Sequence, residues 1–194
     1  LYVLASHFHP DHFNKEVLQW REQRPDIIYI FSKDILRHRR AQKEDAVWLK
    51  KGEEYKDETL SVRAFGSTDV GVSFLLQASG KKIFHAGDLN NWHWMDESTE
   101  AEWKGAEKNF LHELDDLYAY TPEVDVAMFP VDPRLGKEYM RGAGQFVTKI
   151  KTHIFVPMHF TPEYAKANAF RDFAEAHGVR FVSLTHRGQK IEIE

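Results

Sequence analysis

Within six residues, His7-Phe8-His9-Pro10-Asp11-His12 gathers three imidazoles and a carboxylate. These are side chains that hold zinc and similar cations, through nitrogen and oxygen at about 2.0–2.2 Å. The spacing has a geometric sense. His7 and His9 stand two residues apart, so in extended chain both point the same way. Pro10 keeps His9 out of helical backbone and so helps hold that arrangement. Beyond Pro10 the chain must turn, which sends Asp11 and His12 to another side. One short segment can therefore serve two adjacent cation positions. A lone histidine is usually a surface or core residue, but three with an aspartate, straight after an apolar run, read as a metal site.

The elements that must position these groups follow from apolar patterning. Short apolar runs alternate with amphipathic stretches, the signature of an α/β layered domain. Strands are predicted at Leu1–Ala5, Ile27–Phe31, Thr59–Phe65, Val72–Ala78, Ile83–Ala86, Val124–Phe129, Ile154–Met158, Val179–Leu184 and Lys190–Ile193. Ser79-Gly80-Lys81 reads as a hairpin turn. Helices are predicted at Lys15–Gln23, Lys33–Gln42, Thr99–Tyr120, Lys137–Lys151 and Pro162–His177. Thr161 is the expected N-cap of the last, and Thr99 with Glu102 has the form of a capping box. Four of the strands share a design: each carries a His or Asp at or just past its carboxyl end, namely His7, Asp88, Asp132 and His159. Rigid strands that end in loops are a common way to bring distant side chains together.

Composition narrows the chemistry. Across 194 residues, 42% are hydrophobic and 29% charged, the profile of a soluble globular domain, and one domain is expected. There is no cysteine, so thiolate ligands, disulfides and a thiol nucleophile are all excluded. The net charge of −4 argues against a nucleic-acid partner. No apolar run is long enough to span a bilayer; a cytoplasmic location is the expectation. The sequence opens at Leu1, without Met and directly in a strand-like run, which suggests that strands preceding it have been left out.

His-Phe-His-Pro-Asp-His resembles the His-x-His-x-Asp-His signature of the metallo-β-lactamase fold superfamily. Ala86-Gly87-Asp88 is similar to its bridging-aspartate motif, and Val156-Pro157-Met158-His159 to its terminal histidine motif. The resemblance is strongest to small zinc-dependent hydrolases such as ascorbate-phosphate lactonases. It implies a four-layer αβ/βα sandwich with a binuclear site at one end of the strands. By the same resemblance His7 and His9 belong to a first cation, Asp11, His12 and His159 to a second, and Asp88 bridges both. Two divalent cations are implied, zinc first, with manganese or iron as alternatives. Where the family usually supplies a further histidine, this chain has Phe65-Gly66-Ser67-Thr68-Asp69-Val70-Gly71, so Asp69 is the best replacement and the first position is expected to be the weaker, or even empty.

The implied reaction is hydrolysis of an ester, lactone or phosphodiester by water that a cation has acidified. Asp11 would orient the nucleophile or take its proton, and His93 is a second catalytic candidate, as ligand or proton donor. Trp92 and Trp94 could line the pocket, and Arg134 could grip a small anionic substrate. His38, His112, His153, His177 and His186 are expected to be structural or exposed, and His85 to face away from Asp88. Two other classes stand beside the hydrolase: an iron-dependent oxidoreductase on the same scaffold, and a metal-binding module without catalysis.

Overall fold

Tyr2-Val3-Leu4-Ala5 and the run from Ile28 to Phe31 lack charged residues, as strands covered on both faces do. In the computed structural model, which describes residues 1–192, they form β1 (Tyr2–Ala5) and β2 (Ile28–Ser32). With β3 (Val47–Leu49) they make an all-parallel sheet ordered β1-β2-β3. A 3-10 segment, Lys15–Glu22, joins the first two strands, and α1 (Lys33–Arg37) follows the second.

The remaining chain builds a seven-stranded sheet. β4 (Glu54–Lys56), β5 (Ser61–Phe65), β6 (Ser73–Ala78) and β7 (Lys81–His85) form an antiparallel meander. Ser79 and Gly80, with φ of 50° and 75°, make the two-residue turn between β6 and β7. Then follow α2 (Glu100–Tyr120), β8 (Glu123–Pro130), α3 (Arg141–Lys149), β9 (Lys151–Met158), α4 (Tyr164–Asn168), α5 (Arg171–Ala176) and β10 (Arg180–Phe181). These later strands run parallel, giving the order β10-β9-β8-β7-β6-β5-β4.

Of four apolar clusters among the described residues, three separate the layers. Ile30 and Leu49 meet Val62, Ala64 and Phe74 between the two sheets. Tyr29 and Phe31 pack outward on Phe13 and Ile35, beneath α1 and the 3-10 segment. On the far side Phe84, Phe129 and Phe155 are covered by Phe110, Leu114 and Leu117 of α2 and Phe146 of α3. Each such buried side chain stabilises the fold by about 1.5–3 kcal/mol. The layers run αβ/βα, as expected.

Several boundaries differ from expectation. The helix expected over Pro162–His177 is two short ones, divided at Ala169 and Phe170, where the Phe170 amide bonds the Ala167 carbonyl three residues back at 3.3 Å. Thr161 does not cap it. Its φ is 52° and its hydroxyl donates to the Phe160 carbonyl. The helix expected over Lys33–Gln42 stops at Arg37, and that over Lys15–Gln23 is 3-10. The one expected over Lys137–Lys151 begins only at Arg141, after a kink at Gly136 with φ 80°. Of the strand expected over Lys190–Ile193, residues 190–192 are irregular and Ile193 lies outside the described residues. Among the described residues no helix is long and apolar enough to cross a membrane.

Candidate metal centre

Four strand ends meet at one edge of the sandwich. β1 delivers Ser6 and His7, β7 delivers Asp88, β8 delivers Asp132 and β9 delivers His159. His7 is fully buried, with Nε2 3.0 Å from His9 Nδ1 and 3.4 Å from Asp88 Oδ2. The other Asp88 oxygen, Oδ1, lies 3.0 Å from His12 Nε2 and 3.4 Å from His159 Nε2. Asp69 Oδ2 is 3.6 Å from His9 Nδ1, and Asp11 Oδ2 is 3.5 Å from His12 Nε2. The donor atoms sort into two groups, each within 4.8 Å: His7, His9, Asp69 and Asp88, and Asp11, His12 and His159. One oxygen of Asp88 faces each group. The structure thus brings together all seven residues expected to bind metal.

The donor set fits a pair of cations. Asp88 is 5% exposed, and its Oδ1 is buried without a hydrogen bond of good geometry. A buried anionic oxygen without a donor is costly unless a cation satisfies it. Nitrogen and carboxylate donors of this kind suit zinc, and also manganese and iron.

Neighbouring residues hold the ligands in register. Ser6 Oγ lies 3.0 Å from His7 Nδ1 and 3.4 Å from His12 Nδ1, so one hydroxyl serves two imidazoles. Asp132, fully buried, accepts a hydrogen bond of 3.0 Å from His159 Nδ1, which leaves Nε2 free to face Asp88. Arg134 donates to both Asp132 oxygens, at 3.0 Å from Nε to each and at 2.6 Å from Nη2 to Oδ2. Gly71 is obligatory: at φ 76° a Cβ would lie 2.1 Å from the Ser6 carbonyl oxygen and 2.5 Å from His7 Cβ. Thr68 staples the Asp69 loop to the Asp88 loop, its hydroxyl accepting from Asn90 N at 2.9 Å and donating to Asn90 O at 2.5 Å.

Charge follows burial and partners. Burial keeps His7 neutral, holding its pKa down at about 4, with His12 adding to the effect and Asp88 opposing it. Burial alone would raise the Asp88 carboxyl, but His12, His159 and His7 together hold it below the usual carboxylate range. Asp132 is likewise pushed up by burial, yet His159 and Arg134 outweigh that and hold it at about 2. Burial opposes protonation of His159, and Asp132 with Asp88 raises its pKa nonetheless.

His93 is the expectation the structure corrects. It is 1% exposed, Nδ1 accepts from the Met95 amide at 3.1 Å, and Nε2 donates to the Glu138 carbonyl at 3.1 Å. Both ring nitrogens are therefore committed to backbone, and the side chain is absent from the cleft. Trp92 and Trp94 do line that cleft, about 350 Å³ in volume, with His9, Asp11, Thr68, Asp69, Asp88, Arg134 and His159. Their rings stack at 6.3 Å. His85 accepts from the Gly87 amide and lies between the sheets, away from the cleft. The orienting parts played by Ser6 and Thr68 were not legible in residue type or spacing, and Asp132 was marked by its strand end without its hold on His159 being visible.

This fold, with two donor groups sharing one aspartate at the strand ends, defines a class. The profile described as "Beta-lactamase superfamily domain" matches residues 2–160, and the chain belongs to that superfamily. Among solved structures it is similar to Igni18, a metallo hydrolase from Ignicoccus hospitalis, at 18% identity and a TM-score of 0.62, over 94% of this chain and 75% of that one. The metallo-β-lactamase fold protein YhfI from Bacillus subtilis is similar at 11% identity and 0.62, over 94% and 75%. CmlA, a diiron β-hydroxylase from Streptomyces venezuelae, is similar at 13% identity and 0.59, over 94% of this chain and 43% of that one. No curated protein matches.

Proposed function

We propose that the chain is a binuclear metal-dependent hydrolase, zinc-loaded, acting on a small anionic ester, lactone or phosphodiester. The observation that carries this is Asp88, whose two oxygens face separate donor groups from a buried position. Cations held there would acidify water toward a pKa of about 7 and polarise the bond to be cleaved. The protein's own groups do the rest. Asp11, its side chain 68% exposed at the cleft, is placed to accept a proton from the attacking water as well as to serve the second cation. Among the described residues Arg134 is the one Arg or Lys side chain lining the cleft; it is fixed by Asp132 and would hold the substrate's negative charge. Trp92 and Trp94 wall off one side and limit the water that reaches the bond under attack.

The test is Asp88→Asn, with metal content and turnover of a lactone and phosphodiester panel measured side by side. Stoichiometry should fall from near two, and turnover with it. Unchanged turnover in that variant would remove the centre from the reaction.

One observation favours a second reading. Counting Asp88 twice, each position draws two imidazoles and two carboxylates. That oxygen-rich set also suits iron, and an iron-dependent oxidoreductase would announce itself by colour and oxygen uptake.

A further inference from the structure

On the other side of the metal-binding turn lies a second hollow, about 480 Å³, lined by Pro10, Phe13, Asn14, Lys15, Arg39 and Arg40. Pro10 stands in its wall, while the adjoining His9 and Asp11 line the metal cleft. The two concavities are thus opposite faces of one turn. Three of the hollow's six lining residues are cations, and none is a carboxylate. Among the described residues Lys15, Arg39 and Arg40 make no ion pair and no side-chain hydrogen bond. The nearest carboxylate in sequence, Glu16, is held by the Asn14 side chain, through its own backbone amide at 2.9 Å and through its carboxylate at 3.4 Å.

The charge is concentrated against the trend of the molecule. Residues 33–43 carry five cations and one carboxylate in a chain whose net charge is −4. That carboxylate, Asp34, is already engaged by the Phe8 amide at 3.1 Å. Arg39 holds φ at 54°, just past the end of α1. That conformation is ordinarily left to glycine or asparagine at the end of a helix. A long cationic side chain kept there is an outlier of the kind that accumulates at functional sites. The basic turn is also tied mechanically to the metal ligands. Asp34 and the His38 ring, stacked on Phe8 at 3.7 Å and 13°, both grip the residue between His7 and His9.

We propose that Lys15, Arg39 and Arg40 form an anion site for a phosphate-class dianion, distinct from the metal centre and coupled to it through Phe8 and Pro10. Two guanidinium forks and an ammonium match the charge and the oxygen geometry of such a group. The phosphate has two possible sources, a distal group on the substrate or free phosphate acting as an effector. The site itself stands whether or not the hydrolase reading does.

Titration calorimetry of the zinc-loaded chain with inorganic phosphate tests this, in parent, Asp88→Asn and Arg39→Gln/Arg40→Gln proteins. Binding should persist in Asp88→Asn and weaken about tenfold or more per arginine removed in the double variant. Equal affinity in parent and double variant, or loss confined to Asp88→Asn, would overturn the site. Arg39→Gly gives an independent check. It should raise the melting temperature by about 2–4 °C while weakening phosphate binding. Retention of parental affinity there would take Arg39 out of the site. Turnover of a phosphodiester lacking a second phosphate then separates the sources. A response to free phosphate that the double variant loses identifies an effector. No response, with a raised KM in the double variant only for substrates bearing a distal phosphate, identifies the substrate.

Discussion

The two donor groups proposed to hold cations are built from similar side chains and supported very differently. In the second, His159 is locked by Asp132, itself buried and clamped by Arg134. In the first, His7 is fixed by burial and Ser6, but His9 and Asp69 are 36% and 44% exposed in their side chains. The second group is therefore preorganised at His12 and His159 and leaves only Asp11, 68% exposed, to be ordered, whereas both His9 and Asp69 of the first must be ordered when a cation arrives. Ordering costs entropy that a locked ligand has already lost on folding. The first position should be the one that fills last and exchanges fastest.

The sharpest way to break this contrast is Asp69→Asn. It removes a carboxylate from the softer position only, and should lower affinity there by roughly 100-fold, at the upper end of what even supporting residues cost. Metal analysis after dialysis against a weak chelator should then find one cation per chain, where the parent keeps two. Two tightly held cations in this variant would mean that Asp69 is a bystander. A smaller effect, about 10–100-fold, is expected at the other position from Asp132→Asn, since His159 keeps its nitrogen but loses its charged partner. Competition with a chromophoric chelator should show the second cation weakened and the first unchanged. Were both to weaken equally, the two positions would not be independently supported.

The mildest effect is one of pH. In the cation-free chain His7 has a pKa of about 4, below its ordinary 6.5, because burial penalises its charged form. Between those values the unfolded chain binds the proton and the folded chain does not. His7 thus contributes fully to stability above pH 6.5, and that contribution is lost as pH falls toward 4. Imidazole resonances followed by NMR in chelator-treated protein should show His7 neutral at pH 5.5. A midpoint near 6.5 would mean that the first position lacks its buried anchor.

The candidate ligands were legible because chemistry demands particular side chains. His7, His9, Asp11 and His12 announce themselves by type and spacing, and Asp88 and His159 by ending apolar runs and by resemblance to family motifs. Asp69 was reached through the gap left by a missing histidine. The supporting groups were hidden because their roles depend on orientation. Ser6 is an ordinary serine until its Oγ is seen between two imidazoles. His93 misled for the same reason: proximity to Asp88 in sequence said nothing of the backbone partners that occupy both its nitrogens. Among the elements, α2 was read to within a residue because its capping box and apolar stripe agree. The helix after Pro162 was read as one because Ala167, Phe170 and Ala174 are buried at helical spacing, a pattern that does not reveal the three-residue hydrogen bond dividing the run at Phe170. The short strands β3 and β4 went unread, being three residues each and too brief to show alternation.

Trp92 sits edge-on to His159 with ring centres 5.4 Å apart, and its indole nitrogen donates to the Asp88 carbonyl at 2.8 Å. A fluorophore so close to the proposed second cation position would give the chain an intrinsic optical gauge of its own loading. Copper or cobalt bound there would quench the Trp92 emission, and zinc would not. Titrating one against the other would then count occupancy in real time, without a dye and without touching a ligand.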